Sequence, residues 1–101
     1  MKERDFSVCL LYDVYAPLIS EKKRTVFELS YWQDLSLSEI AEHTGTTRQG
    51  VRELLKRTCD ELEELENALH VKRMQDSLTA LADGISESNP DISLKIKEII
   101  S

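Results

Sequence analysis

Two helix-start signals separated by a glycine constrain this chain more than any other feature of its sequence. Ser36 is followed three residues later by Glu39, and Thr46 is followed by Gln49, so both pairs have the spacing of a capping box. The two starts lie ten residues apart, which leaves room for only a short helix and a tight turn. Gly45 stands where the first helix must end, and glycine readily takes the left-handed conformation that reverses the chain. The pattern predicts a helix-turn-helix unit.

The second helix of this unit is predicted to have two unlike sides. At about 100° per residue, its apolar side carries Val51, Leu54, Leu55 and Thr58. We expect this side to pack on Ile40 and Ala41 of the first helix. The opposite side carries Arg48, Gln49, Arg52, Lys56 and Arg57. Arginine contacts phosphate or guanine and glutamine pairs with adenine, so this side predicts nucleic-acid binding, with a merely solvated helix surface as the alternative.

Two helices are predicted before the helix-turn-helix unit. The first runs from Phe6 to Tyr15 and ends at Pro17, with an inward side predicted to consist of Phe6, Cys9, Leu10 and Val14. Ser20 is a plausible N-cap for the second, which extends from Glu21 to about Trp32 and is expected to turn Val26, Leu29 and Trp32 inward. Its first turn holds Lys22, Lys23 and Arg24, which are candidates for additional phosphate contacts or for a solubilising surface.

The chain after the helix-turn-helix unit carries two apolar stripes. The stripe of the second helix continues through Leu62, Leu65 and Leu69, whereas Met74, Leu78, Leu81 and Ile85 form another that lies roughly 160° away around the same helix axis. Either the helix breaks between Asn67 and Val71, or two partners flank it. A last helix is predicted to start at Asn89 and Pro90, with an apolar edge of Ile92, Ile96 and Ile99. We therefore divide the chain into a helix-turn-helix domain, residues 1–69, and a C-terminal helical extension, residues 70–101.

Charge is distributed unevenly along the chain. The net charge is −6, which by itself argues against a nucleic-acid partner. Residues 1–57 are balanced, however, with nine basic and nine acidic side chains, whereas residues 58–101 hold four basic and ten acidic ones. The acidic side chains that follow the basic side of the second helix are expected to form the solvated side of a long helix, with docking on a basic partner such as a ribonucleoprotein as the alternative; they are Asp60, Glu61, Glu63, Glu64 and Glu66.

Other function classes are disfavoured by the sequence. Two Cys and two His show no metal-ligand spacing, and no Gly-rich phosphate loop or catalytic set of side chains can be identified, so we expect no enzyme, no metal and no cofactor. The chain has no apolar run long enough to cross a membrane, so we expect a cytoplasmic protein without membrane insertion. A chain of 101 residues has a small core, which favours a homodimer.

Several segments together resemble the YlxM-like family of small bacterial helix-turn-helix proteins. They are residues 11–15 (LYDVY), 17–24 (PLISEKKR), 28–31 (ELSY), 34–41 (DLSLSEIA), 47–51 (TRQGV) and 56–58 (KRT). The likeness covers about residues 6–70. The central segment is also similar to region four of bacterial sigma factors, which reads promoter DNA.

This resemblance implies an all-α helix-turn-helix fold, winged-helix-like or similar to sigma region four, with a long C-terminal helical extension. It further implies a cytoplasmic, dimeric protein that contacts DNA or RNA as a regulator, or one that serves the signal recognition particle pathway. The alternative is a protein-interaction accessory of the signal recognition particle GTPase that has no DNA role. Two positions depart from the family pattern: Gly50 replaces an alanine, and Thr46 replaces an apolar turn residue.

Overall fold

The computed structural model describes residues 6–101. All regular secondary structure in these residues is helical, and they contain no strand. The helices are α1 (Ser7–Tyr15), α2 (Glu21–Tyr31), α3 (Leu37–Thr44), α4 (Arg48–Leu69), α5 (Val71–Gly84) and α6 (Pro90–Ile100), with one 3₁₀ turn (Ala16–Leu18) after α1. The chain divides into two compact units between Ala68 and Leu69. The predicted all-α helix-turn-helix fold is confirmed.

The inward side of α1 differs from the prediction. Val8, Tyr12 and Tyr15 are buried, whereas Phe6 and Leu10 are 57% and 53% exposed. Cys9 and Val14, the other two residues expected inside, are half-buried. Both sets have helical spacing, and packing selects the one that buries two tyrosine rings. The Tyr12 ring stacks on Phe27 of α2 with 4.3 Å between ring centroids, and such aromatic pairs stabilise beyond the area they bury.

The position of Trp32 also differs from the prediction. We expected it inside, but it is 49% exposed, and the buried residues of α2 are Val26, Phe27, Leu29 and Ser30. Trp32 caps the C-terminus of α2, just beyond the last helical residue, Tyr31. From there its ring meets Phe27 and Tyr12 only edge-on, each at 5.8 Å between centroids.

Polar side chains of α1 and α2 hold the second half of α4. The Tyr15 hydroxyl donates to Glu66 Oε1 at 2.5 Å, and Lys23 Nζ lies 2.7 Å from Glu61 Oε1. Tyr31 Oη and Cys59 Sγ are 3.7 Å apart. Hydrogen bonds to charged groups contribute more than neutral ones. These contacts therefore fix α4 beyond the short segment that packs on α3.

The helix-turn-helix unit shares one apolar cluster with α2. Ile40 and Ala41 of α3 pack with Val51 of α4 and with two residues of α2, which are Val26 and Leu29. Half-buried leucines lie around this cluster, and they are Leu35, Leu37, Leu54 and Leu55. The predicted packing of α3 on the apolar side of α4 is confirmed.

Gly45 makes the turn between α3 and α4. Its φ is +70° and its ψ 29°, in the left-handed region. The N–H of Thr46 then donates to the carbonyl of Ala41 at 3.0 Å, which is the long hydrogen bond of a Schellman turn. At the other end of α3, Ser36 and Glu39 form the predicted capping box. The Glu39 carboxylate accepts the Ser36 N–H, and this hydrogen bond lowers the pKa of Glu39.

The long helix breaks within the predicted interval. α4 ends at Leu69, His70 adopts a left-handed conformation with φ +55°, and α5 begins at Val71. Of the two alternatives left open by the apolar stripes, the break is therefore the one that the chain adopts. It lets each stripe belong to a separate helix.

The second compact unit is a helical hairpin of α5 and α6. Ala82 and Ser93 are buried where the helices meet, and Ser93 Oγ donates to the Ala82 carbonyl at 2.7 Å. Asp83 and Lys97 form an ion pair at 2.7 Å. As predicted, α6 starts with Pro90 after Asn89. Much of the apolar surface stays exposed on this hairpin, including Met74, Leu81, Ile92, Leu94 and Ile99.

Replacing Gly45 tests whether the turn depends on the left-handed conformation. Gly45→Ala should lower the free energy of unfolding by about 1–2 kcal/mol, because a Cβ disfavours positive φ. Gly45→Asn should lose less, since asparagine tolerates this conformation better. Urea unfolding followed by Trp32 fluorescence measures both. Equal losses for the two variants would contradict this account of the turn.

Candidate nucleic-acid interface

Thr47 caps the N-terminus of α4. Its side-chain oxygen accepts the Gly50 N–H at 3.0 Å, and its carbonyl accepts the Val51 N–H at 2.9 Å, the first hydrogen bond of the helix. We predicted Thr46 as the cap with Gln49 completing a box, and this prediction is wrong by one residue. The Gln49 side chain instead donates to Glu53 at 3.4 Å. The Thr46 N–H donates to the Ala41 carbonyl, so it is not free to donate to the Gln49 side chain as a capping box at Thr46 would require.

The departure at Gly50 has a local steric reason. A Cβ built there would lie 2.9 Å from Thr46 Oγ1 and 3.1 Å from Thr47 Oγ1. Glycine in a helix costs roughly 1 kcal/mol relative to alanine. At this position that cost is offset by space for the two threonine hydroxyls, one of which caps α4.

Packing points one side of α4 inward along its length. Val51, Thr58 and Leu62 are completely buried on that side, and the Thr58 hydroxyl donates to the Leu54 carbonyl at 2.7 Å. All five predicted contact residues of this helix are exposed on other sides, and these are Arg48, Gln49, Arg52, Lys56 and Arg57. The five residues are thus exposed on the first three turns, over a wide arc in which Arg48 and Arg57 lie about 180° apart around the axis.

The cations of the candidate site differ in how far they are already neutralised. Lys56 Nζ pairs with Asp60 at 2.8 Å, and this contact raises the pKa of Lys56. Within residues 6–101, no carboxylate lies at ion-pair distance from Arg48, Arg52 or Arg57. Arg48 and Arg52 are therefore available to an anion, whereas Arg57, although it forms no ion pair, lines a depression together with Asp60, Glu61 and Glu64.

The three basic residues of α2 are not equivalent. Lys22 is exposed and Arg24 is half-buried. Lys23 pairs with Glu61 and holds α4 in place, so its charge is largely used within the protein. Sequence reasoning did not find this pair, because Lys23 and Glu61 are 38 residues apart and only packing joins them.

The charges along α4 oppose the helix dipole. Its first turn contains no acidic residue and its last turn no basic one, although carboxylates stabilise a helix N-terminus and cations a C-terminus. The dipole places about half a positive charge at the N-terminus, where Arg48 and Arg52 add two full charges. This arrangement costs helix stability and concentrates positive potential at the start of α4.

Two other kinds of site are absent from the described part of the chain. No group of three or more His, Cys, Asp and Glu side chains between residues 6 and 101 is placed to hold a metal ion. No helix of this region is both long and apolar enough to span a membrane.

Two neighbouring threonine variants test which residue caps α4. Thr47→Ala should lower the free energy of unfolding by about 1 kcal/mol, because the Gly50 N–H loses its acceptor. Thr46→Ala should change it by less than half as much. Both are measured by urea unfolding under the same conditions. A larger loss for Thr46→Ala would restore the cap that the sequence predicted.

Comparisons with known proteins agree on one family. A family model described as "Putative helix-turn-helix protein, YlxM / p13 like" matches residues 2–100. The UPF0122 protein of Clostridium kluyveri is 39% identical over 108 residues, covering 99% of this chain and 96% of the relative. The UPF0122 protein of Clostridium perfringens is 34% identical, with 98% of each chain covered. A third UPF0122 protein, from Thermoanaerobacter sp., is 41% identical over 89% of this chain and 85% of its own.

Proposed function

Because the chain belongs to the YlxM/p13-like family of helix-turn-helix proteins, we propose that it is a regulatory protein that binds nucleic acid through the first three turns of α4. One observation carries this proposal. Arg48 and Arg52 are exposed in the first two turns of α4, near its positive end, and Arg57 is exposed in the third turn. Within the described residues no carboxylate forms an ion pair with any of these three side chains.

The proposed roles follow from the side chains and their surroundings. Arg48 and Arg52 lie four residues apart on neighbouring turns and contact phosphate or guanine. Gln49 reads a base edge, since its weak contact with Glu53 is easily exchanged. Lys56 and Arg57, together with Lys22 and Arg24, contact the phosphate backbone. Lys23, also proposed from the sequence, contributes least because Glu61 neutralises it.

Removing the two leading arginines tests this surface. Arg48→Ala with Arg52→Ala should weaken binding to a labelled mixed-sequence DNA duplex at least tenfold and reduce the salt slope of log K by about 1.8, since two phosphate neutralisations are lost. Fluorescence anisotropy between about 20 and 200 mM salt measures both quantities. The same experiment with single-stranded RNA decides between the two polynucleotides.

The control for this experiment removes two cations from the C-terminal hairpin. Arg73→Ala with Lys95→Ala gives the same change in net charge, and both side chains are exposed outside the candidate site. This variant should bind like the wild type. Equal weakening by both pairs of substitutions would show that only net charge matters, and would count against α4 as the contact surface.

We further propose that the protein is a homodimer. The small core of a 101-residue chain and the exposed apolar side chains of the α5–α6 hairpin support this proposal. Two copies would present two α4 helices to successive half-sites about 34–36 Å apart on DNA. Sedimentation equilibrium at micromolar concentration should give twice the mass of one chain, which is 11.6 kDa. A monomer mass throughout would overturn the dimer without touching the nucleic-acid proposal.

A role in the signal recognition particle pathway is a second candidate function. It is favoured by the exposed carboxylates on the second half of α4, which include Glu63 and Glu64 and suit a basic protein partner. The two candidates differ in their response to the arginine variant. A protein that docks on the carboxylates would be captured equally by wild type and by Arg48→Ala/Arg52→Ala, and nuclease treatment would leave it bound.

A further inference from the structure

The exposed side of α4 changes sign partway along the helix. Residues 48–57 hold four basic side chains and one acidic one, whereas residues 58–69 hold five acidic side chains and no basic one. At about 100° per residue, Arg52 and Glu63 differ by about 20° around the axis, and Arg57 and Glu64 by a similar angle. A glutamate therefore follows an arginine along each of two lines on the exposed part of the helix, and these lines are about 100–140° apart around the axis.

The five carboxylates of this segment differ in their contacts. Glu61 pairs with Lys23, Glu66 accepts the Tyr15 hydroxyl, and Asp60 is bound by Lys56. Glu63 and Glu64 are exposed, and in the part of the chain that the structure describes neither has a hydrogen-bond or ion-pair partner. Neither side chain has a packing role that would explain its acidic character.

Because α4 is much longer than the major groove of DNA is wide, the position of these two charges along the helix matters for binding. Its 22 residues span about 33 Å at 1.5 Å per residue, while the major groove of DNA is about 12 Å wide. Glu63 follows Arg57 by about 9 Å along the axis, within the Debye length of about 10 Å at 0.1 M salt. If a DNA duplex lay along the whole length of α4, its phosphates would come close to both glutamates. If only the first turns of α4 entered a groove of the duplex, its phosphates would stay away from them.

We propose that Glu63 and Glu64 are specificity-determining residues, which repel phosphates from the second half of α4 and restrict nucleic acid to its first three turns. This inference rests on the proposed nucleic-acid function. The two carboxylates weaken sequence-independent binding, in which the phosphate backbone of the nucleic acid lies along the whole helix. Contacts made by Arg48 and Arg52 are left intact, because these two side chains lie more than about 15 Å from Glu63 along the axis.

Reversing the two charges tests the proposal. Glu63→Lys with Glu64→Lys should raise the affinity for a mixed-sequence duplex at least tenfold near 0.1 M salt and steepen the salt slope by about 1.8. Affinity for a duplex selected by the wild type from a random pool should rise less, so discrimination between the two duplexes falls. Glu63→Gln with Glu64→Gln, which only removes the charges, should give an intermediate change in both measurements.

The matched control is Glu87→Lys with Glu98→Lys. Both glutamates are exposed in the C-terminal hairpin, and their reversal changes the net charge by the same amount. It should leave discrimination as in the wild type. Circular dichroism confirms that each variant keeps its helical content, and exposed side chains without partners give no reason to expect unfolding.

The outcomes separate this inference from the proposed function. If the wild type binds and loses affinity with Arg48→Ala/Arg52→Ala, but the reversal at Glu63 and Glu64 matches the wild type or the control, only the specificity role is overturned. If the wild type binds neither DNA nor RNA even at about 20 mM salt, both proposals are overturned.

Discussion

Burial of Val51, Thr58 and Leu62 along one side of α4 is the constraint on which the rest of the structure depends. Once these residues are inside, the helical repeat fixes the direction of every other side chain on the helix. The arginines of the first turns then face solvent, and so do Glu63 and Glu64 further along the helix. Val51 belongs to the apolar cluster shared by α2, α3 and α4. Packing of this cluster thus helps to set which charged side chains of α4 are exposed.

The distribution of charge on that surface lowers the stability of α4 as a helix. Cations at the N-terminus and carboxylates toward the C-terminus each oppose the dipole, at a cost of about 0.3–1 kcal/mol for each well-placed charge. The fold bears this cost because α4 does not stand alone. Tyr15 and Lys23 bind carboxylates of its second half, and Thr47 caps its start. Tertiary contacts therefore allow a charge pattern that an isolated helix of this length would disfavour.

The same contacts divide the charged residues into two groups. Lys23, Lys56, Glu61 and Glu66 are bound by partners within the protein. Arg48, Arg52, Glu63 and Glu64 have no such partner in residues 6–101. A basic start and an acidic continuation on one exposed side give the helix a direction, since a polyanion is attracted at one end and repelled from the other.

The helix-turn-helix unit could be predicted from the amino-acid sequence alone, because the signals that specify it are local. The box of Ser36 and Glu39, the turn at Gly45 and the alternation of apolar and basic residues after Arg48 all act within one or two helical turns. The change of apolar stripe also indicated either a break between Asn67 and Val71 or two flanking partners, and the structure has the break at His70. Each of these features is set by residues that are close in the chain.

Where two sets of residues had equally good helical spacing, the packing of the folded protein selected one of them. Two sets of α1 residues have helical spacing, and stacking on Phe27 selected the one with Tyr12. Thr46 and Thr47 are both residues that commonly cap a helix. In the folded protein the Thr46 N–H bonds to the Ala41 carbonyl in the turn, and Thr47 is the residue whose side chain caps α4. Pairing of Lys23 with Glu61 joins residues far apart in the chain. Such choices depend on which surfaces meet in the folded protein, and local spacing carries no information about that.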